Sequence, residues 1–122
     1  MAIPNIVNVS SIQAKSFGNT LTTSNAFVLV NAASSGNCIK INNIVLSNYS
    51  NTSATANVEY NAAAAGTGTQ TFIVSQVSIP SGASLIVTDK STSFYLEEDR
   101  CVKAVCTTAS AVQVFVSYEV LS

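Results

Sequence analysis

The sequence predicts an all-β protein, a single antiparallel β-sandwich of eight or nine short strands. Apolar residues alternate with polar ones or form short β-branched runs, and helical periodicity is nearly absent. Turn residues recur about every 8–12 positions, a spacing typical of sandwiches and barrels. Two packed sheets are expected because each sheet must bury one face. Ig-like and jelly-roll connections both remain open.

The individual strands follow from this pattern in chain order. Pro4 suits the start of the first strand, where its missing N–H costs least. The predicted strands are 6–15, 26–30, 38–47, 54–60, 71–79, 85–88, 94–96, 101–107 and 112–121. Turns or loops are predicted at 17–20, 34–37, 48–53, 62–69 and 80–82.

The third strand carries a change of phase. Ile39 and Ile41 share one face, whereas Ile44 and Leu46 have the opposite parity. One extra residue restores the phase, so the sequence predicts a β-bulge at 42–43.

The last strand has the most regular alternation, and it predicts which of its side chains face the core. The inward row is predicted to include Val114, Val116, Tyr118, Ile39, Val58 and Leu85. Phe115 interrupts the opposite, polar face. A single exposed aromatic is common, but aromatics also concentrate at the centres of interfaces. Both interpretations of Phe115 stay open.

Composition points to an assembled protein. The 122 residues suit one domain spanning 1–122, with enough apolar residues, 48%, to fill a core. Charged residues make up only 9%, against roughly 25% in ordinary soluble domains. A surface with so few charges has little electrostatic repulsion to oppose association. The composition therefore favours an obligate assembly. The alternative is an extracellular β domain with a neutral, Ser/Thr-covered surface.

Several classes of partner are disfavoured. The five cations are scattered and the net charge is −1, so nucleic acid is not an expected partner. No apolar run approaches the ~20 residues of a membrane span, and no secretory signal is visible. The three cysteines are expected to be reduced. Cys101 and Cys106, five apart on one strand, should point to opposite faces.

Catalytic chemistry has few candidates. Histidine is absent, which removes the commonest general base and metal ligand. No catalytic, cofactor-binding or metal-binding residue is therefore predicted. The acidic run 97–99, with Asp89 nearby, could bind Ca²⁺ or supply paired carboxylates. A solvated turn paired with Arg100 and Lys103 is the preferred interpretation. The four tyrosines suggest sugar stacking, although Tyr60 and Tyr118 have core parity.

Several segments together resemble one family. These are 79–85, Lys90 followed by 95–98, and 117–119, and the segments 1–9 and 39–48 look similar too. In order and spacing they resemble small β-sandwich virion structural proteins of cyanophages and related marine tailed phages. The family pattern has Gly after the two glutamates, where this chain has Asp99. Gly there suggests a positive φ, which Asp tolerates better than most residues.

The resemblance implies a non-enzymatic structural component of a tailed-phage virion. A capsid cement or decoration protein is the first expectation; the alternative is a neck, tail or fibre-attachment protein. A soluble carbohydrate-binding module ranks lower. The implied partners are the major capsid protein or neck and tail subunits, together with further copies of the chain. The implied location is the virion, after assembly in the host cytoplasm.

The beginning of the chain is expected to take part in assembly. Residues 1–9 are predicted to be an assembly arm held by another subunit, or else an edge strand of their own sheet. The candidate interface residues are Ile3, Ile6 and Phe115.

Overall fold

A computed structural model describes residues 9–122. This part of the chain is built from antiparallel strands and one 3₁₀ turn, Lys90–Thr92. The strands are β1 (Ile12–Thr20), β2 (Ala26–Asn31), β3 (Cys38–Asn48), β4 (Ala54–Asn61), β5 (Gln70–Ile79), β6 (Ser84–Thr88), β7 (Phe94–Leu96), β8 (Arg100–Cys106) and β9 (Val112–Leu121). Within these residues no helix has the length and apolarity needed to cross a membrane.

The strands form two sheets whose order defines the topology. Sheet A has the order β1-β9-β3-β6, with β7 also paired to β3, and sheet B has the order β2-β8-β4-β5. Apart from β7, the pairing is nested: first strand with last, second with second-last, and so on inward. This nesting is the jelly-roll arrangement. The predicted sandwich is confirmed, and the jelly roll replaces the Ig-like alternative.

The core lies between the sheets and agrees with the predicted inward row. Val114, Val116, Ile39 and Val58 are buried. Tyr118 and Leu85 are half-buried and pack against the core cluster. Alternation along β3, β4, β6 and β9 therefore predicted these inward positions.

The predicted bulge in β3 is confirmed. Pairing of β3 with β9 shifts between Ile41 and Asn43. The Asn43 side chain uses the irregularity, because its Oδ1 accepts the Ser117 N–H at 3.1 Å. The shift lets both apolar halves of β3 face the same core.

The first strand differs from its prediction. The sequence predicts a strand over 6–15 and a turn over 17–20, whereas β1 continues to Thr20. Residues 6–8 lie outside the described part, and the turn at 17–20 is wrong. Nine consecutive residues of β1 pair with β9 without a register shift. Pairing with a neighbouring strand thus overrides the local Gly-Asn turn preference.

Candidate assembly surfaces

Two residues of the acidic run 97–99 form hydrogen bonds to neighbouring loops. Asp99 has φ 59°, as the resemblance implies for this position. Glu98 is 3% exposed, and its Oε2 accepts the Gly36 N–H at 3.0 Å. Asp99 Oδ1 accepts the Ala64 N–H at 3.0 Å. The solvated-turn prediction is therefore wrong for Glu98, because the turn is folded against two other loops.

The cations expected beside this turn have other contacts. Arg100 Nε donates to the Tyr60 hydroxyl at 2.9 Å, and its Nη1 donates to the backbone carbonyl of Asp99 at 2.9 Å. Lys103 Nζ lies 5.1 Å from the centroid of the Phe27 ring, a cation–π distance. Across residues 9–122, no three acidic or cysteine side chains group as metal ligands. Glu98 and Asp99 each hold a neighbouring loop, and the carboxylates of this turn do not converge on one point.

Glu59 is a buried carboxylate that sequence reasoning missed. Alternation predicts that it faces outward, and its neighbour Val58 indeed faces the core, yet Glu59 is only 3% exposed. Its carboxylate accepts hydrogen bonds from Asn25, from Gln70 at 3.0 Å and from Asn61 at 3.2 Å. The outer face of sheet B is therefore covered at this point.

Residues 62–69, called the cover loop from here on, lie over the adjacent part of this face, against Cys101, Lys103 and Phe27. Asn61 holds it: the Nδ2 group donates to the carbonyls of Gly66 and Gly68, and Oδ1 accepts the Gly68 N–H at 2.9 Å. Gly66 lies against the ring of Phe27 and the side chain of Lys103. The Ala/Gly composition fits this role, since small residues let the loop approach the sheet closely.

The three cysteines are free and buried. Cys101 lies under the cover loop, where its Sγ donates to the carbonyl of Ala63 at 3.4 Å. Burial raises the pKa of Cys101, and it also raises the pKa of Cys38. A raised pKa leaves little thiolate at neutral pH, so these two thiols behave as small core residues.

The outer face of sheet A has no such cover among the described residues. Phe115 of β9 lies directly opposite Gly18 of β1 on one side and Val45 of β3 on the other. Val45 in turn lies opposite Ile86 of β6. Phe115, Val45 and Ile86, called the apolar row from here on, thus cross three adjacent strands. Phe115 is 49% exposed and Ile86 is 63% exposed.

Only part of this surface was predicted from the sequence. Phe115 was named as a candidate interface residue, while Val45 and Ile86 were missed. The signal for Val45 was present, because a bulge that turns Ile44 and Leu46 inward turns the residue between them outward. The other candidates, Ile3 and Ile6, lie outside the described residues.

The tyrosines are too dispersed to stack on one sugar. Tyr95 lies opposite Lys40 near the start of β3, whereas Tyr49 follows the end of β3. Nine residues of strand separate these positions, roughly 30 Å at about 3.3 Å per residue. Tyr60 and Tyr118 are half-buried and pack against the core.

No protein-family model matches the chain, and no curated protein matches it. Among known structures, a protein of the disulfide-linked pili of Bacillus endospore appendages matches with a TM-score of 0.55 and 15% identity, over 91% of this chain and 85% of that one. A chain of the T13 viral particle of IBDV has a TM-score of 0.46 and 6% identity, over 93% of this chain and 31% of that one. A chain of the infectious bursal disease virus Gx strain has a TM-score of 0.41 and 7% identity, over 93% of this chain and 38% of that one. At these identities the pilus likeness concerns the fold alone.

Proposed function

We propose that this chain is a non-enzymatic structural component of a tailed-phage virion, acting as a capsid cement or decoration protein. The observation that carries the proposal is the apolar row, which crosses three strands of a protein with few charges: Phe115 and Ile86 at its ends are exposed, and Val45 between them is half-buried. Exposed apolar residues that lie together mark interaction sites more often than scattered ones do. A cement protein needs such a face because it must bind an already assembled shell.

A further observation supports a structural role. The carboxylates of Glu98, Asp99 and Glu59 serve as hydrogen-bond acceptors within the fold. The proposed partners are the major capsid protein and further copies of this chain, which the virion would contain after assembly in the host cytoplasm.

The proposal treats residues 1–122 as one domain and residues 1–9 as an assembly arm. Ile3 and Ile6 would contact another subunit in the virion. This part of the proposal rests on the apolar residues of the segment and on the open sheet edges that the sandwich offers.

Incorporation into particles tests the proposal. Phe115→Asp should abolish binding to shells that lack the protein, while the folded structure is retained. Gln113→Asp is the matched control, because Gln113 is also exposed and lies two residues earlier on the same face of β9. Deletion of 1–9 should likewise give a folded protein that fails to enter particles. Normal incorporation of Phe115→Asp would refute the role of the apolar row.

The second candidate is a neck, tail or fibre-attachment protein, which the same surface would suit. Immunogold labelling of intact virions separates the two: label over the whole head supports the cement role, and label at one vertex or along the tail supports the alternative. A carbohydrate-binding module ranks lower because the tyrosines share no common surface. Glycan-array binding with no virion label would favour it.

A further inference from the structure

The four outer edges of the two sheets differ in how well they are protected. Edge strands are usually made short or bulged, or given charges, so that other chains do not pair with them. On sheet B, β2 pairs with β8 through a register shift. The other edge strand, β5, pairs with β4 through two register shifts, and Gln76 within it has φ 52°. On sheet A, β6 has five residues and β7 has three.

The edge at β1 is neither short nor bulged, and it has a single charged residue. It has nine residues, no proline, one charged residue (Lys15) and no register shift against β9. It is also largely exposed along its length. Among the described residues, no strand pairs with its other side.

The hydrogen bonds at the ends of β1 show which backbone groups are free. Ser11 and Ser122 exchange two N–H···O bonds of 3.0 Å, and the Leu21 N–H donates to the Val112 carbonyl at 2.8 Å. Antiparallel pairing alternates, so the odd-numbered residues between them also face β9. The even-numbered residues turn their N–H and C=O groups outward. Consistently, the Thr20 N–H is taken by its neighbour's side chain, Asn19 Oδ1, at 2.9 Å.

We propose that β1 is a self-pairing edge, which binds β1 of a second copy antiparallel about a two-fold axis at Ser16. In that register Ser16 faces Ser16 of the second copy, and Ala14 faces Gly18. Each of these pairs lies on the outward-facing set, so each can exchange two N–H···O bonds. The pairing joins two copies of sheet A into one continuous sheet, with the same patch used on both subunits.

Side chains fit this register as well as the backbone does. On the outer face, only small residues meet at the centre: Ser16, Ala14 and Gly18. On the inner face, Lys15 comes opposite Phe17 of the second copy rather than opposite another Lys15. A cation beside an aromatic ring is favourable, and like charges directly opposite each other are avoided. This self-pairing goes beyond the proposed function, because it would hold in solution with no virion present.

The first test is the molecular mass in solution of the full chain. The protein should show a concentration-dependent shift from 12.7 kDa towards twice that mass in sedimentation equilibrium. Ser16→Pro removes an outward N–H and no bond to β9, and proline is tolerated on edge strands when its N–H side faces solvent. It should raise the dissociation constant by at least about tenfold. Ser16→Ala keeps the N–H and should leave the dissociation constant unchanged.

A second test reports the register and does not depend on how well Ser16→Pro folds. Hydrogen-bonded antiparallel partners lie about 5.5 Å apart between Cα atoms, within the range of a disulfide. Under mild oxidation Ser16→Cys should therefore form a covalent dimer linked 16 to 16. Ile12→Cys should not, because residues 12 of the two copies would be about 26 Å apart along the strand.

Three results would overturn the inference. A monomer at all accessible concentrations would do so, as would equal cross-linking by Ser16→Cys and Ile12→Cys. A dimer that persists in Ser16→Pro and shows no 16-to-16 disulfide would mean that the two copies meet through a surface other than the β1 edge.

Discussion

The outer faces of the two sheets differ in how far a connecting loop covers them. On sheet B, the cover loop lies over Cys101 and Glu59 is 3% exposed, while Phe27 and Phe72 at the two sides of this face are 44% and 50% exposed. On sheet A, Phe115 and Ile86 stand open at 49% and 63% exposure. The difference is therefore local: a connecting loop covers the middle of the outer face of sheet B, and no described loop covers the middle of sheet A.

The difference distinguishes a surface that the chain covers with its own residues from surfaces that are left open to another subunit. The cover loop is tied down by the side chain of Asn61, which satisfies backbone groups on both sides of it. Its contacts are internal, and they contribute to folding stability. The apolar row and the β1 edge contribute little to the isolated fold, and they are the surfaces on which the proposed assembly depends.

The largest expected effect comes from comparing two adjacent residues of β9. Val116 is fully buried, and Val116→Asp places a charge in the core. It should cost several kcal/mol, enough to unfold a domain of typical stability, about 5–15 kcal/mol. Phe115→Asp should cost only about 1–2 kcal/mol, because half of the ring is already exposed and the rest of the loss comes from the poor strand propensity of Asp. Urea denaturation followed by circular dichroism measures both, and a folded Val116→Asp protein would contradict the assigned inner face.

A smaller effect should distinguish the covered face from the open one. A Cβ added at Gly68 would lie 2.8 Å from backbone atoms of Ala62 and Ala63, closer than real contacts allow. Gly68→Ala should therefore displace the cover loop and destabilise the protein by about 1–3 kcal/mol.

Gly18→Ala is the matched control on sheet A. Its added Cβ would meet the nearest atoms at 3.8 and 3.9 Å, which is ordinary contact. It should leave stability unchanged or raise it by up to about 1 kcal/mol, because alanine costs less entropy than glycine in a strand. Thermal unfolding of both variants gives the comparison, and equal losses would mean that the cover loop is not specifically packed.

The smallest effect concerns the rim of sheet A, where the 3₁₀ turn joins β6 to β7. Hydrogen bonds from the Ser91 hydroxyl and backbone N–H to Asp89 hold the pKa of Asp89 below its ordinary value. A lowered pKa means that this cap stabilises the turn above about pH 4 and that the contribution is lost as pH falls through the folded pKa. An NMR titration of the Asp89 carboxyl should show the low pKa, and Ser91→Ala should raise it. An Asp89 pKa that does not change in Ser91→Ala would contradict the cap.

Local pattern alone predicted much of this molecule. Alternation along β9 assigned Val114 and Val116 to the core, and the phase change in β3 predicted the bulge at 42–43. Such features depend on the two-residue period of a strand and on turn chemistry, and both are properties of neighbouring residues. The composition likewise predicted a surface with little charge to oppose association.

Only the tertiary structure decided which strands are neighbours and what each outer face meets. Both Ig-like and jelly-roll connections fit the same strand pattern, because pairing partners lie far apart in sequence. The continuation of β1 through Gly18 depended on β9, nearly a hundred residues later. Glu59 and Phe115 both have outward parity, yet one is covered and the other is exposed. Glu59 is covered because Asn25, Asn61 and Gln70 come together around it from separate parts of the chain, and periodicity within one strand does not predict such a contact.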